Sequence, residues 1–529
     1  MNNHFLSPKF FFLAIVSCLL LACSDSSTSA EEGASSSSVD EVSSSSGADP
    51  TSSGSVPGSS SVIAGSSSSG IASSSSTGII SSSSSTGSLG TLTWTVPTSP
   101  TAGTYVGTST DVQVALADAG ATVTNNNGCV VISGTTTYVT CGGIFVFTGS
   151  MANGQIRVNN TDKLDEIELV LNGVYLSNKE NSPIYVEAAD KVKINVPTGA
   201  VTVLNDAATY TFIDATDSVP KACVYAEDDL TLKGKGTLYV NGNYNNGIHT
   251  KNDLNVNDDL TLYVKAVNHA LKGKGSVEIA GGTFNLKTTS GDGIQSDNEE
   301  KTTKGFITIN GGTFHIDAGS DAVNAYRSIQ VNAGTFDIFA GDGSLDTASS
   351  HKGFKSLIGN FAIVTGTLNI ASQDDPIHAV NVNIGGGTLN LQSGDDGIQA
   401  EGVLTAIGGT VNITKSKKPA LAASAFNMNG GIWVGLGSAW DATMVPTASA
   451  QYNVMVTLAT EIASGTVVSI QTAAGETVVS ATAGKKIGYL FASSPLFVAG
   501  TEYKVLAGTS SVASFTLEAS TYQVQVQGN

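Results

Sequence analysis

Asp292-Gly293-Ile294-Gln295 and Asp396-Gly397-Ile398-Gln399 share one pattern, in which an acidic residue and a small residue precede an aliphatic residue and an amide. Segments of this kind recur every 21 to 31 residues between residues 222 and 399. A second motif, such as Gly282-Thr283-Phe284-Asn285-Leu286, runs in phase with the first. The other copies of the first motif begin at Ser182, Ala222, Asn246, His269, Asp321, Lys352 and Asp375. The chain is therefore built from repeats.

Each repeat contains two short segments that alternate apolar and polar residues, separated by glycine turns. Such segments cannot bury an apolar face alone, so they must stack on the equivalent segments of neighbouring repeats. The repeat lacks the leucine pattern of a leucine-rich repeat and is about half as long as a propeller blade. The sequence predicts an all-β fold: a single-stranded parallel β-helix over residues 150–445, followed by a small antiparallel β segment.

The repeat assigns each side chain to a face, because successive side chains of a strand point to opposite sides. Ile294 and Ser296 are predicted to face the interior, and Gln295 between them faces outward. Equivalent outward residues form a column of aromatic and hydrogen-bonding groups that a long sugar chain could lie along. A polar exterior that only keeps the solenoid soluble is the alternative. The column consists of Tyr185, Tyr225, His249, Lys272, Gln295, Asn324, Lys355, His378 and Gln399.

Carboxylates cluster at the turns, where stacking brings like charges within about 5 Å of each other. A hard cation with oxygen ligands relieves such repulsion, and Ca²⁺ suits exported sites of this kind. Aspartate is also common at turns for local reasons, because it hydrogen-bonds its own backbone. The candidate calcium ligands are Asp228, Asp229, Asp253, Asp259, Asp292, Asp297, Asp321, Asp375 and Asp396.

Charge and motifs limit the possible functions. The net charge is −19, and only Arg157 and Arg327 could make bidentate phosphate contacts, which argues against nucleic acid as a partner. The sequence contains no nucleophile elbow, zinc-protease motif or phosphate loop. β-Elimination of a uronic acid polymer would need a cationic residue as base, for which Lys251, Lys272 and Lys274 are candidates. The alternative is that these lysines neutralise neighbouring acids.

The first 23 residues are predicted to be a lipoprotein signal peptide. The apolar run from Phe10 to Ala22 has 13 residues, whereas a membrane-spanning helix needs about 20. Leu20-Leu21-Ala22-Cys23 resembles a bacterial lipobox, which implies lipid attachment at Cys23 and, with Ser24 next, an outer-membrane location. An ordinary signal peptide with a chance cysteine is the alternative. We expect an exported lipoprotein at the cell surface.

Three further segments flank or precede the repeats. Residues 24–92 contain long serine runs and are predicted to be a disordered linker. Residues 93–149 are predicted to be an N-terminal β segment, in which Cys129 and Cys141 bracket a hairpin and form a disulfide. Two free thiols are the alternative. Residues 446–529 are predicted to be an antiparallel β segment that covers the last coil's open edge.

Several segments carry a family resemblance: Leu169–Val174, Ser182–Val186, Asp228–Leu232, Asn241–Ile248 and Lys274–Ile279. They resemble the carbohydrate-binding domain-containing β-helix proteins of cellulolytic bacteria, and the likeness covers residues 120–510. It implies a non-catalytic, calcium-binding protein associated with cellulose and acidic pectin-type polysaccharides, with a fold related to pectate lyases. Asn252 and Gly275 stand where that family has acidic residues.

Taken together, these patterns predict non-catalytic, calcium-dependent binding of plant cell-wall polysaccharide, either cellulose or acidic pectin. We expect a monomer at the bacterial surface, with membrane contact through the lipid anchor only. A pectate-type lyase acting by β-elimination is one alternative. A purely structural surface protein or adhesin is the other.

Overall fold

The computed structural model describes residues 92–162, 165–212, 219–341, 350–438, 445–446, 449–518 and 523–528. Within these ranges the regular secondary structure consists of β-strands. They contain no helix long and apolar enough to cross a membrane. The predicted signal peptide, Cys23 and nearly all of the predicted linker lie outside the described residues.

Most of the described chain winds into a solenoid whose coils form three parallel sheets. Sheet 1 contains Thr136–Val139, Gln155–Asn159, Ile184–Ala188, Ala222–Ala226, Asn246–Thr250, Leu271–Gly273, Ile294–Ser296, Val323–Ala325, Phe354–Ser356 and Ile377–Ala379. Sheet 2 contains Lys191–Val196, Asp229–Gly234, Leu254–Val256, Val277–Ile279, Ile307–Ile309, Ile329–Val331, Asn360–Ile363 and Asn381–Ile384. Sheet 3 contains Val201–Asn205, Thr237–Gly242, Thr261–Ala266, Thr283–Thr288, Thr313–Ala318, Thr335–Ala340, Thr367–Ser372 and Thr388–Ser393.

The predicted parallel β-helix is confirmed, but a typical coil has three strands and not two. The strand that the sequence did not reveal is the short one of sheet 2. Val277–Ile279, for example, has only three residues, with its ends buried and its centre exposed. One alternation of apolar and polar residues is too short to stand out as a period of two.

Parallel coiling begins before residue 150, where the sequence analysis placed it. Val112–Leu116 pairs in parallel with Gly143–Met151, which pairs in parallel with Ile167–Ser177. Ile167–Ser177 then continues into both sheet 2 and sheet 3, through Lys191–Val196 and Val201–Asn205. The predicted N-terminal β segment is therefore continuous with the solenoid. A short strand, Thr122–Thr124, pairs antiparallel with the first of these strands.

A disulfide-linked hairpin starts sheet 1. Val130–Ser133 and Thr136–Val139 pair antiparallel. A disulfide joins Cys129 and Cys141, whose Cα atoms are 5.2 Å apart. Thr136–Val139 also pairs in parallel with Gln155–Asn159, so the hairpin is fixed to the first coil.

The interior of the solenoid is built from stacked side chains in register. Ile248 pairs with Leu271 and Leu271 with Ile294, and all three are fully buried. Two positions later Thr250 and Ser296 are also buried. Both inward positions that the repeat predicts are confirmed.

Aromatic rings stack inside sheet 3. The ring centroids of Phe284 and Phe314 are 4.6 Å apart, and those of Phe314 and Phe336 are 4.5 Å apart. A glycine directly before the strand Thr313–Ala318 permits the turn into this sheet. Gly312 has φ 114°, and a Cβ atom there would lie 3.0 Å from the carbonyl oxygen of Gly282. A side chain at this position would therefore strain the turn.

The last two coils are single long strands, Ile398–Lys415 and Leu421–Gly437. Ile487–Ser493 pairs antiparallel with the second of them and with Asn453–Ile462, which closes the open edge. Val445–Pro446 and Gln523–Gln527 add short parallel pairings. A separate antiparallel sheet contains Thr477–Thr482, Val467–Thr472, Glu502–Ala507 and Ser510–Thr516. The predicted antiparallel segment is confirmed.

Candidate functional site

The residues predicted to form the outward column lie in register on sheet 1. Tyr185 pairs with Tyr225, and Tyr225 pairs with His249. Paired residues of neighbouring strands are about 4.8 Å apart along the solenoid axis. We call this column the outer ladder. Its members are Tyr185, Tyr225, His249, Lys272, Gln295, Asn324, Lys355, His378 and Gln399.

Two members of the outer ladder are buried, which corrects their predicted role as sugar contacts. Tyr225 is 1% exposed and His249 is 8% exposed. The Tyr225 ring contacts the rings of His249 and Tyr185, with centroids 5.2 and 5.9 Å away. Burial, together with the charges of Lys272 and His269, lowers the pKa of His249 to about 3. Strand alternation fixes the side of the sheet on which a residue lies, but not what covers that side.

An insertion packs beside the buried part of the outer ladder. The connection before Ala222–Ala226 spans residues 206–221, whereas the next coil has only residues 243–245 at this place. The hydroxyl oxygen of Tyr210 in the insertion lies 3.0 Å from the carbonyl oxygen of Ala222. The Tyr210 ring also stacks on Tyr244, with ring centroids 4.2 Å apart. Asp206 accepts a hydrogen bond from Tyr210 at 2.7 Å.

The C-terminal part of the outer ladder is half-buried, so its side chains remain accessible. Every member of this part carries an amide, imidazole or ammonium group. We call it the strip: Lys272, Gln295, Asn324, Lys355, His378 and Gln399.

Buried carboxylates join successive coils at the turn from sheet 3 to sheet 1. Oδ1 of Asp292 accepts the backbone N–H of Asp321 at 3.1 Å, and Oδ1 of Asp321 accepts that of Lys352 at 2.7 Å. Oδ1 of Asp375 accepts the N–H of Asp396 at 3.0 Å. We call Asp292, Asp321 and Asp375 the inner carboxylates, and each is at most 2% exposed. Each of these hydrogen bonds links equivalent positions of neighbouring coils.

The second oxygen of each inner carboxylate holds the strip. Oδ2 of Asp292 accepts from Nε2 of Gln295 at 2.7 Å and from Nδ2 of Asn324 at 3.1 Å. Oδ2 of Asp321 accepts from Nδ2 of Asn324 at 3.2 Å and from Nζ of Lys355 at 2.8 Å. Three strip residues are thus oriented by acids that lie behind them.

The remaining strip residues are also held by carboxylates. Nδ1 of His378 lies 3.0 Å from Oδ2 of Asp375. Oε1 of Glu401 lies 3.2 Å from Nε2 of His378 and 3.2 Å from Nε2 of Gln399. Nζ of Lys272 donates to Asp297 at 2.6 Å. Every strip residue therefore has at least one carboxylate partner.

The electrostatics of the inner carboxylates follow from their burial. Burial raises the pKa of Asp292, and burial together with the charge of Asp292 raises the pKa of Asp321. Hydrogen bonds from amides and from Lys355 oppose this effect. Oε1 of Gln295 is buried and has no hydrogen-bond partner in the described part of the chain.

Several predicted calcium ligands are paired with ammonium groups. The pairs are Asp253 with Lys304, Asp259 with Lys235, Asp297 with Lys272, Asp321 with Lys355 and Asp375 with Lys352. At each of these five acids a lysine supplies the positive charge in this arrangement. Gly275 stands beside the first pair, where a Cβ atom would lie 2.4 Å from Oδ1 of Asp253.

The other predicted ligands make backbone contacts. Oδ1 of Asp229 accepts the N–H of Asp253 at 3.1 Å. The backbone carbonyl of Asp228 accepts from the Thr250 hydroxyl. Asp292 and Asp396 belong to the inner-carboxylate contacts described above.

Three carboxylates in the described part of the chain lie close enough together to share one metal ion. Oxygen atoms of Asp374, Asp375 and Asp395 lie within 4.8 Å of one another. Nζ of Lys352 donates to the first at 2.5 Å and to the second at 2.8 Å, and Nζ of Lys418 donates to the third at 2.7 Å. Burial alone would lower the pKa of Lys352, but Asp375 and Asp374 raise it overall. The group fits calcium only where these ammonium groups move away.

The three candidate bases for a lyase reaction are all ion-paired. An ammonium group has no lone pair with which to abstract a proton. The pairs are Lys251 with Glu227 at 2.8 Å, Lys272 with Asp297 at 2.6 Å and Lys274 with Glu300 at 3.7 Å.

The sequence analysis missed an N-terminal extension of the outer ladder. Tyr138 pairs with Arg157, and Arg157 pairs with Tyr185. This coil lacks the turn residues of the repeat motif, so it was not aligned with the others. The alternation of buried Ile156 and Val158 around Arg157 was the signal that could have found it.

The described geometry is a parallel solenoid with a regular hydrogen-bonding face. A family model described as "Carbohydrate-binding domain-containing protein" matches residues 133–397. The chain belongs to this family.

One relative and one solved structure are similar to parts of the chain. A "Carbohydrate-binding domain-containing protein" of Acetivibrio thermocellus is 41% identical over 193 residues, which span 36% of this chain and 66% of the relative. The alignment thus covers just under two thirds of the relative's length. A structure of a polysaccharide lyase-like protein from C. thermocellum, a gadolinium derivative, is 33% identical with a TM-score of 0.41. That match covers 53% of this chain and 96% of the other.

Proposed function

We propose that the chain binds plant cell-wall polysaccharide along the strip without cleaving it. One observation carries the proposal: hydrogen-bonding side chains recur at the same position of successive coils from Lys272 to Gln399. A ligand that matches such a row must itself repeat at short intervals, as a polysaccharide does. Membership of a carbohydrate-binding family supports a glycan as this ligand.

The chemistry of the strip favours a neutral glycan such as cellulose. Carboxylates lie directly behind or beside it and would repel uronic acids, whereas amides and carboxylates together bind hydroxyl groups. Two side chains with apolar surface lie next to the strip. Tyr326 is half-buried and Leu357 is 55% exposed, and they follow paired residues of neighbouring coils. Such side chains suit the apolar faces of sugar rings.

We propose that Asp374, Asp375 and Asp395 bind calcium reversibly. The ion would compete there with the ammonium groups of Lys352 and Lys418. All-oxygen coordination by three carboxylates is the support for this ion over a softer metal. Full retention on glycan in the presence of chelator would remove calcium from the proposal.

Attachment to the outer membrane is proposed from the sequence alone. A lipid at Cys23 would anchor the protein, and the serine-rich residues 24–92 would tether it. Such a tether of roughly 70 residues reaches on the order of 45 Å, enough to present the solenoid beyond the membrane surface.

The proposal is tested by retention of the full chain on insoluble cellulose. We expect the double variant Asn324→Ala, Gln399→Ala to lose about 10-fold or more in affinity. The matched control is Asn390→Ala, which removes an exposed amide from the outer face of sheet 3. Equal retention of the double variant and the wild type would contradict the proposal. Release of unsaturated uronate from polygalacturonate would instead identify a lyase.

A further inference from the structure

The chain enters the described structure through a segment that crosses the outer face of sheet 3. We call residues 92–104 the strap. The N–H of Leu92 donates to Oδ2 of Asp317 at 3.2 Å, and Nζ of Lys287 donates to the carbonyl oxygen of Leu92 at 3.1 Å. Nζ of Lys287 also donates to Oδ2 of Asp317 at 2.9 Å. Both members of this ion pair therefore contact the first residue of the strap.

The middle of the strap packs beside two stacked tyrosine rings. Tyr239 and Tyr263 pair on neighbouring strands of sheet 3, with ring centroids 4.6 Å apart and an interplanar angle of 6°. The ring centroid of Trp94 lies 5.5 Å from that of Tyr263. Leu92, Trp94 and Val96 are half-buried, and the threonines between them are exposed. One side of the strap therefore faces the sheet.

The last part of the strap is hydrogen-bonded to the strand Val201–Asn205 of sheet 3. Thr101 and Val201 exchange backbone hydrogen bonds, with N–O distances of 3.1 and 2.8 Å. A glycine permits the close approach of the two chains, because a Cβ atom at Gly173 would lie 2.6 Å from the backbone nitrogen of Ala102. The strap is thus held at its first residue, at its centre and near its end.

The strap spans several coils of the solenoid. Asp317 is connected to Asn205 through four paired steps of sheet 3, which correspond to about 19 Å along the axis. The chain before Leu92 therefore meets the solenoid beside an inner coil and not at its N-terminal end. The same coil supplies Asn324 to the strip, on a different sheet.

We infer that the strap is a mechanical clasp, which keeps a pull on the chain before Leu92 from reaching the N-terminal coil. Coils of a solenoid contact only their neighbours, so a force on a terminal coil can remove coils one at a time. The strap transfers the force first to Lys287 and Asp317, whose coils have paired neighbours on both sides. The N-terminal coil bears the load only after these contacts break. This role does not depend on the ligand of the strip.

The test is single-molecule force spectroscopy of the full chain at constant force, with Cys18 and Cys23 replaced by serine. Handles are joined to Lys417→Cys in the last coils and to either Ser85→Cys, before the strap, or Ser109→Cys, after it. Ser109 and Lys417 are exposed. We expect the first unfolding event to be about 10-fold slower when the force enters before the strap, since the ring and ion-pair contacts must break first.

Variants separate the clasp from a general loss of stability. Trp94→Ala with Lys287→Ala should raise the unfolding rate of the chain pulled from residue 85 to that of the chain pulled from residue 109. Lys235→Ala, which removes an exposed ion pair with Asp259, is the matched control and should keep the difference. Equal rates from the two attachments with the natural strap would overturn the inference, and so would a strap variant that keeps the full difference. Where the double variant does not fold, the comparison of the two attachments decides alone.

Discussion

Asp292 and Asp321 occupy the same position in consecutive coils, and Oδ1 of the first accepts the backbone N–H of the second at 3.1 Å. The other oxygen of Asp292 holds Gln295 on the strip. One buried side chain therefore joins two coils and orients a candidate ligand contact. Coil stacking and strip geometry depend on the same carboxylates.

Replacement of Asp321 tests this double role. Asp321→Ala removes the acceptor of the Lys352 N–H and the partner of Lys355. A buried N–H without a partner costs about 1–3 kcal/mol, so we expect the free energy of unfolding to fall by at least that amount. Asp321→Asn keeps an acceptor oxygen and should lose less. Guanidinium denaturation followed by circular dichroism measures both, and equal stability of the alanine variant and the wild type would refute the role.

Removal of Lys352 should destabilise the solenoid and create a calcium dependence. Lys352→Ala leaves the carboxylates of Asp374 and Asp375 without their ammonium partner. Breaking a buried ion pair in this way costs about 3–5 kcal/mol. Without the lysine, Ca²⁺ can occupy the site, so millimolar Ca²⁺ should raise the melting temperature of the variant more than that of the wild type. Equal shifts would show that the three carboxylates do not bind calcium.

The free energy of unfolding should depend on pH through the protonation of Asp206. Burial raises its pKa to about 6, above the unfolded value near 3.9. Between these values the folded state holds a proton that the unfolded state has lost, so the contribution of Asp206 to stability falls as pH rises from about 4 to 6. Two pKa units correspond to about 3 kcal/mol. Unfolding of wild type and Asp206→Asn at pH 4 and pH 7 measures this change, and a constant difference would contradict it.

The coil register could be predicted from sequence because each repeat marks the same inward position. Ile294 and Ile398 follow identical turn residues, and both are fully buried. The three-residue strands of sheet 2 carried too little pattern to be found. The alternation also placed Tyr225 and His249 on the outer side correctly, while it gave no information on the insertion beside them.

The sequence could not predict which lysine pairs with each aspartate at the turns. Lys352 and Asp375 are 23 residues apart, and their ion pair depends on the axial stacking of two coils of unequal length. The sequence showed clustered acids and left open whether lysine or calcium neutralises them. Only the three-dimensional register shows which ammonium group reaches which carboxylate.

The most direct test of the central claim is a crystal structure of the protein with a cello-oligosaccharide. The account predicts an ordered sugar chain along the solenoid axis, with hydroxyl groups bonded to the strip from Lys272 to Gln399. A chain bound on another face, with the strip in contact with solvent only, would contradict the claim.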